Sequence, residues 1–195
     1  MGKKDIAEIL GIIAHPRTEW ERIKKAPSPA PDRFLKGVLV LCAVAPISKF
    51  VGDLLFGNIR RPYYGLSWSV LADYALHSFV SYVLSILLAF LAAATVGWAA
   101  KLFSSEKDVQ RSRILVYHGF IPYWAGGIFY LIPRFGGFFK IVLSLYAFYV
   151  LFLGFESNLL NVPRNKINKY FLFCSSVIIV IIAIIEFLKL TFLFL

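Results

Sequence analysis

Polar residues in this chain gather into short clusters. Between them run five stretches rich in Leu, Val, Ile, Ala and Phe: about Phe34–Phe56, Val70–Phe103, Ile114–Pro133, Phe135–Phe155 and Tyr170–Leu195. About 20 apolar residues suffice to carry a helix across a bilayer, so the pattern predicts an all-α integral membrane protein with five transmembrane helices, residues 34–195 forming one domain. The second stretch is longer than the hydrocarbon requires at about 1.5 Å per residue, so one of its ends is expected to project into water. Only the turn "IPRFGG" separates the third from the fourth, which should form a hairpin.

Residues 1–33 carry a different rhythm. Ile6, Ile9, Leu10 and Ile13 recur at i, i+3, i+4 and i+7, a single apolar stripe with Asp5 and Glu8 off it. "HPR" interrupts this helix, and "TEWE" reads as a capping box, with Thr18 as cap and Glu21 reaching back. A second short helix would present Trp20 and Ile23 together. "APSPAP" (Ala26–Pro31) is a stiff, extended linker to the first span. The segment is expected to be a cytoplasmic amphipathic helical arm on the inner leaflet or docked under the bundle, partner binding being the competing role. It does not read as a secretory signal, because its apolar run is broken at Gly11 and followed by charge. Ile6 also breaks the myristoylation pattern.

Charge sets the orientation. Lysine and arginine crowd the arm (eight, from Lys3 to Lys36), the second-to-third connection (Lys101, Lys107, Arg111, Arg113) and the fourth-to-fifth (Arg164, Lys166, Lys169). The other side holds Arg60, Arg61, Arg134 and Lys140. The positive-inside rule then puts the N-terminus in the cytoplasm and the C-terminus outside, in a plasma membrane of the bacterial inner-membrane kind. Tyr63, Tyr64 and Trp68 would anchor the outer interface. The composition, 59% hydrophobic and 16% charged, leaves no room for a sizeable soluble domain. A net charge of +10 spread along span ends points to anionic lipid at the cytoplasmic face rather than nucleic acid, which needs a basic face with stacking aromatics.

Ionisable residues inside the spans are the candidate chemistry. Counted inward, Lys49, Asp53, Asp73, His77, Glu186 and Lys189 fall in the outer half of the bundle, on three spans. Lys49 and Asp53 are i,i+4, as are Asp73 and His77, and Glu186 and Lys189 are i,i+3, so each pair can share a helix face. Lysine before aspartate is the weaker order, which makes Glu186 an alternative partner for Lys49. The cluster reads either as a water-accessible pocket for an ion or small polar solute or as an ion-pair network fixing helix register. Tyr117, His118 and Glu156 form a second, sparser group nearer the cytoplasm. Pro46 and Pro122 should kink their helices, and Gly52, Gly126 and Gly127 should let another helix approach closely. Cys42 and Cys174 have no ligand-like spacing, and there is no HExxH helix, nucleophile elbow or phosphate-binding glycine loop. No catalytic residue, metal or cofactor is expected.

"APISKFVGDLLFG", "YHGFIPYWAGGIFYLIP" and "SLYAFYVLFLGFESNLLNV" resemble, in order and spacing, the YIP-domain family of Ypt-interacting membrane proteins, most closely its small prokaryotic inner-membrane branch. The likeness covers roughly Phe34 to Pro163. It implies five spans and a cytoplasmic N-terminus, and relatives that act in vesicle traffic, bind Rab-type GTPases and associate with one another. Their longer N-terminal region is replaced here by a short arm, which removes the ground for expecting a GTPase partner. Pro46, Gly52, Tyr117, Pro122 and Gly154 match the family pattern, with no catalytic role implied. The expected function is a non-enzymatic membrane protein that organises lipids or partner proteins, self-association included. The alternative is a small transporter or ion-binding protein that uses the outer-half cluster.

Overall fold

The computed structural model describes residues 3–26, 31–60, 67–105, 108–132 and 135–193. Tyr63, Tyr64, Arg61, Lys107, Arg134 and residues 27–30 of the linker lie outside them. Helices α1 (Lys3–Ala14) and α2 (Pro16–Lys25) form the arm, followed by α3 (Pro31–Arg60), α4 (Trp68–Ala99), α5 (Val109–Ala125), α6 (Gly136–Glu156) and α7 (Ile167–Leu193). Among the described residues five segments are long and apolar enough to cross a membrane: Phe34–Phe56, Trp68–Phe103, Val109–Leu131, Gly136–Glu156 and Arg164–Lys189. The five-span helical architecture expected from the hydrophobic pattern is the one found.

Helix starts differ from expectation for local reasons. Pro31 opens α3, three residues before the apolar run, because its fixed φ and missing N–H suit a first turn. α5 begins at Val109 because Asp108 caps it, its Oδ1 accepting from the backbone N–H groups of Gln110 (2.8 Å) and Arg111 (3.0 Å). The capping box at Thr18 does not form. Pro16 starts α2 two residues earlier, Thr18 Oγ1 donates to the His15 carbonyl at 2.9 Å, and Glu19 pairs with Arg22. α3 stays helical through Pro46, and α5 stays helical through Pro122, changing to 3-10 winding only over Gly126–Leu131.

The 32 residues of α4 rise about 48 Å against a hydrocarbon core of about 30 Å. Its buried side chains begin only at Ser85, so its first half is the bare end, and Trp68 at its start is exposed.

α5 occupies the centre. From Ile114 to Trp124 only Tyr117 keeps partial exposure, and the helix touches α1, α3, α4 and α6. It is also the least hydrophobic of the five spans, while the last span, built on α7, is the most hydrophobic and the least buried. In lipid this inversion is physical: the helix with histidine, glycine and proline is sheltered by its neighbours, and the greasiest one faces the acyl chains. Small residues allow the tightest contact. A Cβ on Gly127 would lie 2.5 Å from Ala45 Cα, and one on Gly52 would lie 2.6 Å from the Tyr130 carbonyl oxygen. α3 and the 3-10 segment therefore meet backbone against backbone. Gly126 is less tight, its added Cβ meeting Leu143 Cβ at 3.0 Å.

The arm and two connections interlock at one end. Lys24 Nζ donates to the Ser157 carbonyl (2.7 Å), Ser105 Oγ to the Leu160 carbonyl (2.5 Å), Arg111 to the Leu159 carbonyl (3.1 Å) and Lys166 Nζ to Ser104 Oγ (2.7 Å). These are the three segments in which lysine and arginine are concentrated.

Candidate functional site: a lysine-lined cavity and a docked arm

Towards the end of the bundle remote from the arm, a cavity of about 190 Å³ opens among α3, α4, α5, α6 and α7. Four of the six ionisable residues singled out in the sequence line it: Lys49, His77, Glu186 and Lys189. Asp53 stands just behind, buried, its Oδ2 2.5 Å from Lys49 Nζ. Glu186 and Lys189 pair at 2.8 Å. The i,i+4 and i,i+3 spacings therefore hold as ion pairs, and the alternative pairing of Lys49 with Glu186 across helices does not, because each finds its partner one turn away on its own helix. Asp73 is exposed and makes no ion pair with His77; the two share a helix but only His77 reaches the cavity.

The residue that sequence reasoning misplaced is Lys140. Counted there as an outer interfacial charge, it sits one turn inside α6 and lines the cavity. Its ammonium donates to the carbonyl of Tyr123 and lies 3.5 Å from the centre of the Tyr123 ring. The carbonyl comes from the last α-helical turn of α5, just before the change to 3-10 winding at Gly126. Among the described residues no carboxylate lies within ion-pair distance of Lys140. In the same lining, the indole Nε1–H of Trp124 is buried without an acceptor among the described residues. Among the described residues, three lysines thus face two carboxylates, Asp53 included, in a space that Ala45, Pro46, Val80, Ser81, Ser85 and Tyr130 also line.

At the other end the arm is built into the bundle. Trp20 is 1% exposed; its Nε1–H donates to the Val150 carbonyl at 2.9 Å, and its ring abuts Gly154, where an added Cβ would lie 2.7 Å from Cζ2. Ile12 is fully buried with Ile9 and Ile13 beside it, while Ile6 and Leu10 are at least half exposed. The buried face of α1 is therefore rotated from the stripe expected, since α5 packs against the Ile12 side. Tyr146 OH donates to the Ile13 carbonyl at 2.8 Å. His118 Nδ1 lies 2.9 Å from the Ile114 carbonyl oxygen and Nε2 lies 2.6 Å from Glu8 Oε1. A carbonyl only accepts, so Nδ1 carries a hydrogen, and the contact to Glu8 holds one more proton, on the imidazole or on the carboxyl. Tyr117 packs edge-on against His118 at 4.8 Å. Glu156 takes no part: it is exposed, without an ion pair among the described residues, so the expected trio is a histidine–arm contact instead.

Among the described residues no group of three or more His, Cys, Asp or Glu side chains is placed to hold a metal ion. No curated protein and no solved structure matches the chain. A family model described as the Yip1 domain matches residues 10–187, taking in part of the docked arm, the first four spans, nearly all of the fifth and every cavity residue named above except Lys189. The chain accordingly belongs to the Yip1 domain family.

Proposed function

We propose that this Yip1 domain protein is a non-enzymatic organiser of membrane lipids, with the arm at the cytoplasmic face as its lipid-contacting surface and the C-terminus outside. The observation that carries the reading is how the arm divides its side chains. The Trp20–Ile12 face is consumed by the bundle, while Ile6 and Leu10, one turn apart on α1, are exposed, as are Arg17, Arg22 and Lys25 on α2. An arm that exposes both apolar and basic residues suits an anionic headgroup layer, where each basic residue contributes about 1 kcal/mol. A docked arm also offers partner proteins less than a free one would. His118 and Ser85 give little to catalysis: both nitrogens of His118 are engaged, and Ser85 Oγ donates to the Ser81 carbonyl at 2.8 Å.

The test is native mass spectrometry of the protein released from membranes containing phosphatidylglycerol. Ile6→Ser with Leu10→Ser, and separately Arg17→Gln with Arg22→Gln, should each lower the anionic lipid retained. Unchanged retention in both would remove the arm from lipid organisation. A stoichiometric protein lost with the same changes would replace lipid by a partner. Labelling of Asp5→Cys by an impermeant thiol reagent, from the cytoplasmic side only, tests the orientation.

A second reading, binding of an ion or small polar solute, is supported by the cavity, which brings Lys49, His77, Glu186 and Lys189 around one space.

A further inference from the structure

We propose that the cavity seats the phosphate of an anionic membrane amphiphile, whose acyl chain lies in the groove between α3 and α4. This deepens the second reading above by naming the ligand's class, and rests on the cavity being a binding site. Three observations lead to it.

The first is charge. Lys49 is matched by Asp53 and Lys189 by Glu186, whereas among the described residues Lys140 has no carboxylate within ion-pair distance and is held by the Tyr123 carbonyl and ring. An ammonium inside a membrane bundle is stabilised by an anion far better than by a carbonyl dipole, and charge-assisted hydrogen bonds to phosphate are the stronger kind. With Lys49 and Lys189 each paired to a carboxylate, the excess charge at the cavity is that of Lys140, which disfavours a cation. The second is the donor supply. Besides Lys140, the lining includes Tyr130 and Trp124, and the indole N–H of Trp124 is buried without an acceptor among the described residues.

The third is the neighbouring surface. A shallow groove of about 380 Å³ runs between α3 and α4, lined by Ala43, Ile47, Phe50, Phe79 and Tyr82 among others. Ile47 and Phe79 are more than half exposed on it. Pro46 lines both the groove and the cavity, so one side chain separates an apolar seat open to lipid from a cationic pocket inside the bundle. A free anion would use the pocket and ignore the groove. An amphiphile with net negative charge uses both, so it is the occupant the surfaces fit.

The experiment measures binding to the full chain purified in a neutral detergent, with phosphatidylglycerol, phosphatidylcholine and inorganic phosphate as probes. Phosphatidylglycerol should bind and raise the melting temperature, and phosphatidylcholine, whose own cation neutralises its phosphate, should bind at least tenfold more weakly. Lys140→Met should weaken phosphatidylglycerol by about ten- to a hundredfold, the range expected for one charge-assisted hydrogen bond. Lys140→Arg should recover most of it. Ile47→Ala with Phe79→Ala, both exposed and so neutral for folding, should weaken the lipid and leave any phosphate binding untouched.

Equal binding of the two lipids overturns the proposal, and that contrast needs no variant. Inorganic phosphate that displaces phosphatidylglycerol, with the groove change silent, also overturns it and makes the pocket a free-anion site, leaving the cavity reading intact. Phosphatidylglycerol binding unaffected by Lys140→Met, with no phosphate binding, overturns both.

Discussion

Replacing Trp20 by alanine removes the largest side chain that the arm buries in the bundle. A buried aromatic of this kind covers roughly 150–250 Å², which at about 25 cal/mol per Å² is about 4–6 kcal/mol of gross burial. The hydrogen bond from Nε1 to the Val150 carbonyl adds about 1 kcal/mol net. Measured Trp→Ala changes in cores run to about 3–5 kcal/mol. The lower end applies here, because an undocked arm can still lay its apolar residues on lipid. About 3 kcal/mol is a little over a hundredfold in the docking equilibrium.

Because, among the described residues, the arm packs on the bundle chiefly through α5 and α6, the loss should appear as local opening. Hydrogen exchange followed by mass spectrometry is the assay: amides in α1 and α2 should exchange about a hundredfold faster in Trp20→Ala, and those of α5 and α6 close to wild type. Gly154→Ala approaches the same result from the other side, since its Cβ would strike both the indole and Leu115 Cδ1. Arm protection unchanged in Trp20→Ala, or protection lost equally through all five spans, would refute the view that this side chain latches a separable arm.

Other consequences can be checked with the same preparation. Gly127→Ala should lower the melting temperature in detergent by an amount matching overpacking of about 1–3 kcal/mol, whereas Gly137→Ala, with nothing within 4 Å of the new methyl, should stay within about 0.5 kcal/mol of wild type. Comparable losses in the two would mean that the close approach to Ala45 is not what holds α3. Tyr170→Phe removes a hydrogen bond to the Val96 carbonyl between α7 and α4; intramembrane bonds average about 0.6 kcal/mol, and an unfolding free energy altered by several times that would show a second role for the hydroxyl. A double-mutant cycle of Glu8→Gln and His118→Gln, read by arm exchange, should give a coupling of about 1–3 kcal/mol, and additive effects would exclude a direct contact.

The five spans were legible because a bilayer imposes one requirement over some twenty consecutive residues, and lapses at single positions do not hide it. The arm was legible as two short helices, yet its buried face was off by a rotation. Periodicity reports which residues could form a stripe, while packing on α5 selects Ile12 over Ile6. The capping box failed because Pro16 starts the turn before Thr18 can. Four cavity residues stood out as charges where apolar residues were expected. Lys140 did not, since one turn inside a helix end it looked like an interfacial lysine, and its partner is a backbone carbonyl that no side-chain spacing reveals. The contact between Glu8 and His118 joins residues 110 apart, beyond the reach of any local pattern.

The burial of α5 bears on how the chain is made. Segments leave the ribosome in order and partition between the insertion channel and lipid according to their own hydrophobicity. α3 and α4 can be released into the bilayer as they emerge. α5, the least apolar span, carries His118, Gly119, Pro122 and a capped start at Asp108, groups that lipid shelters poorly and the finished bundle shelters well. Its stable residence thus depends on neighbours on both sides of it in the sequence: α3 and α4 already waiting, and α6 arriving with it as the second half of a hairpin. The central helix is the one whose insertion is cooperative, so a defect in its neighbours would be felt during biogenesis, as a topology error at the third span, before any loss of the folded protein could be measured.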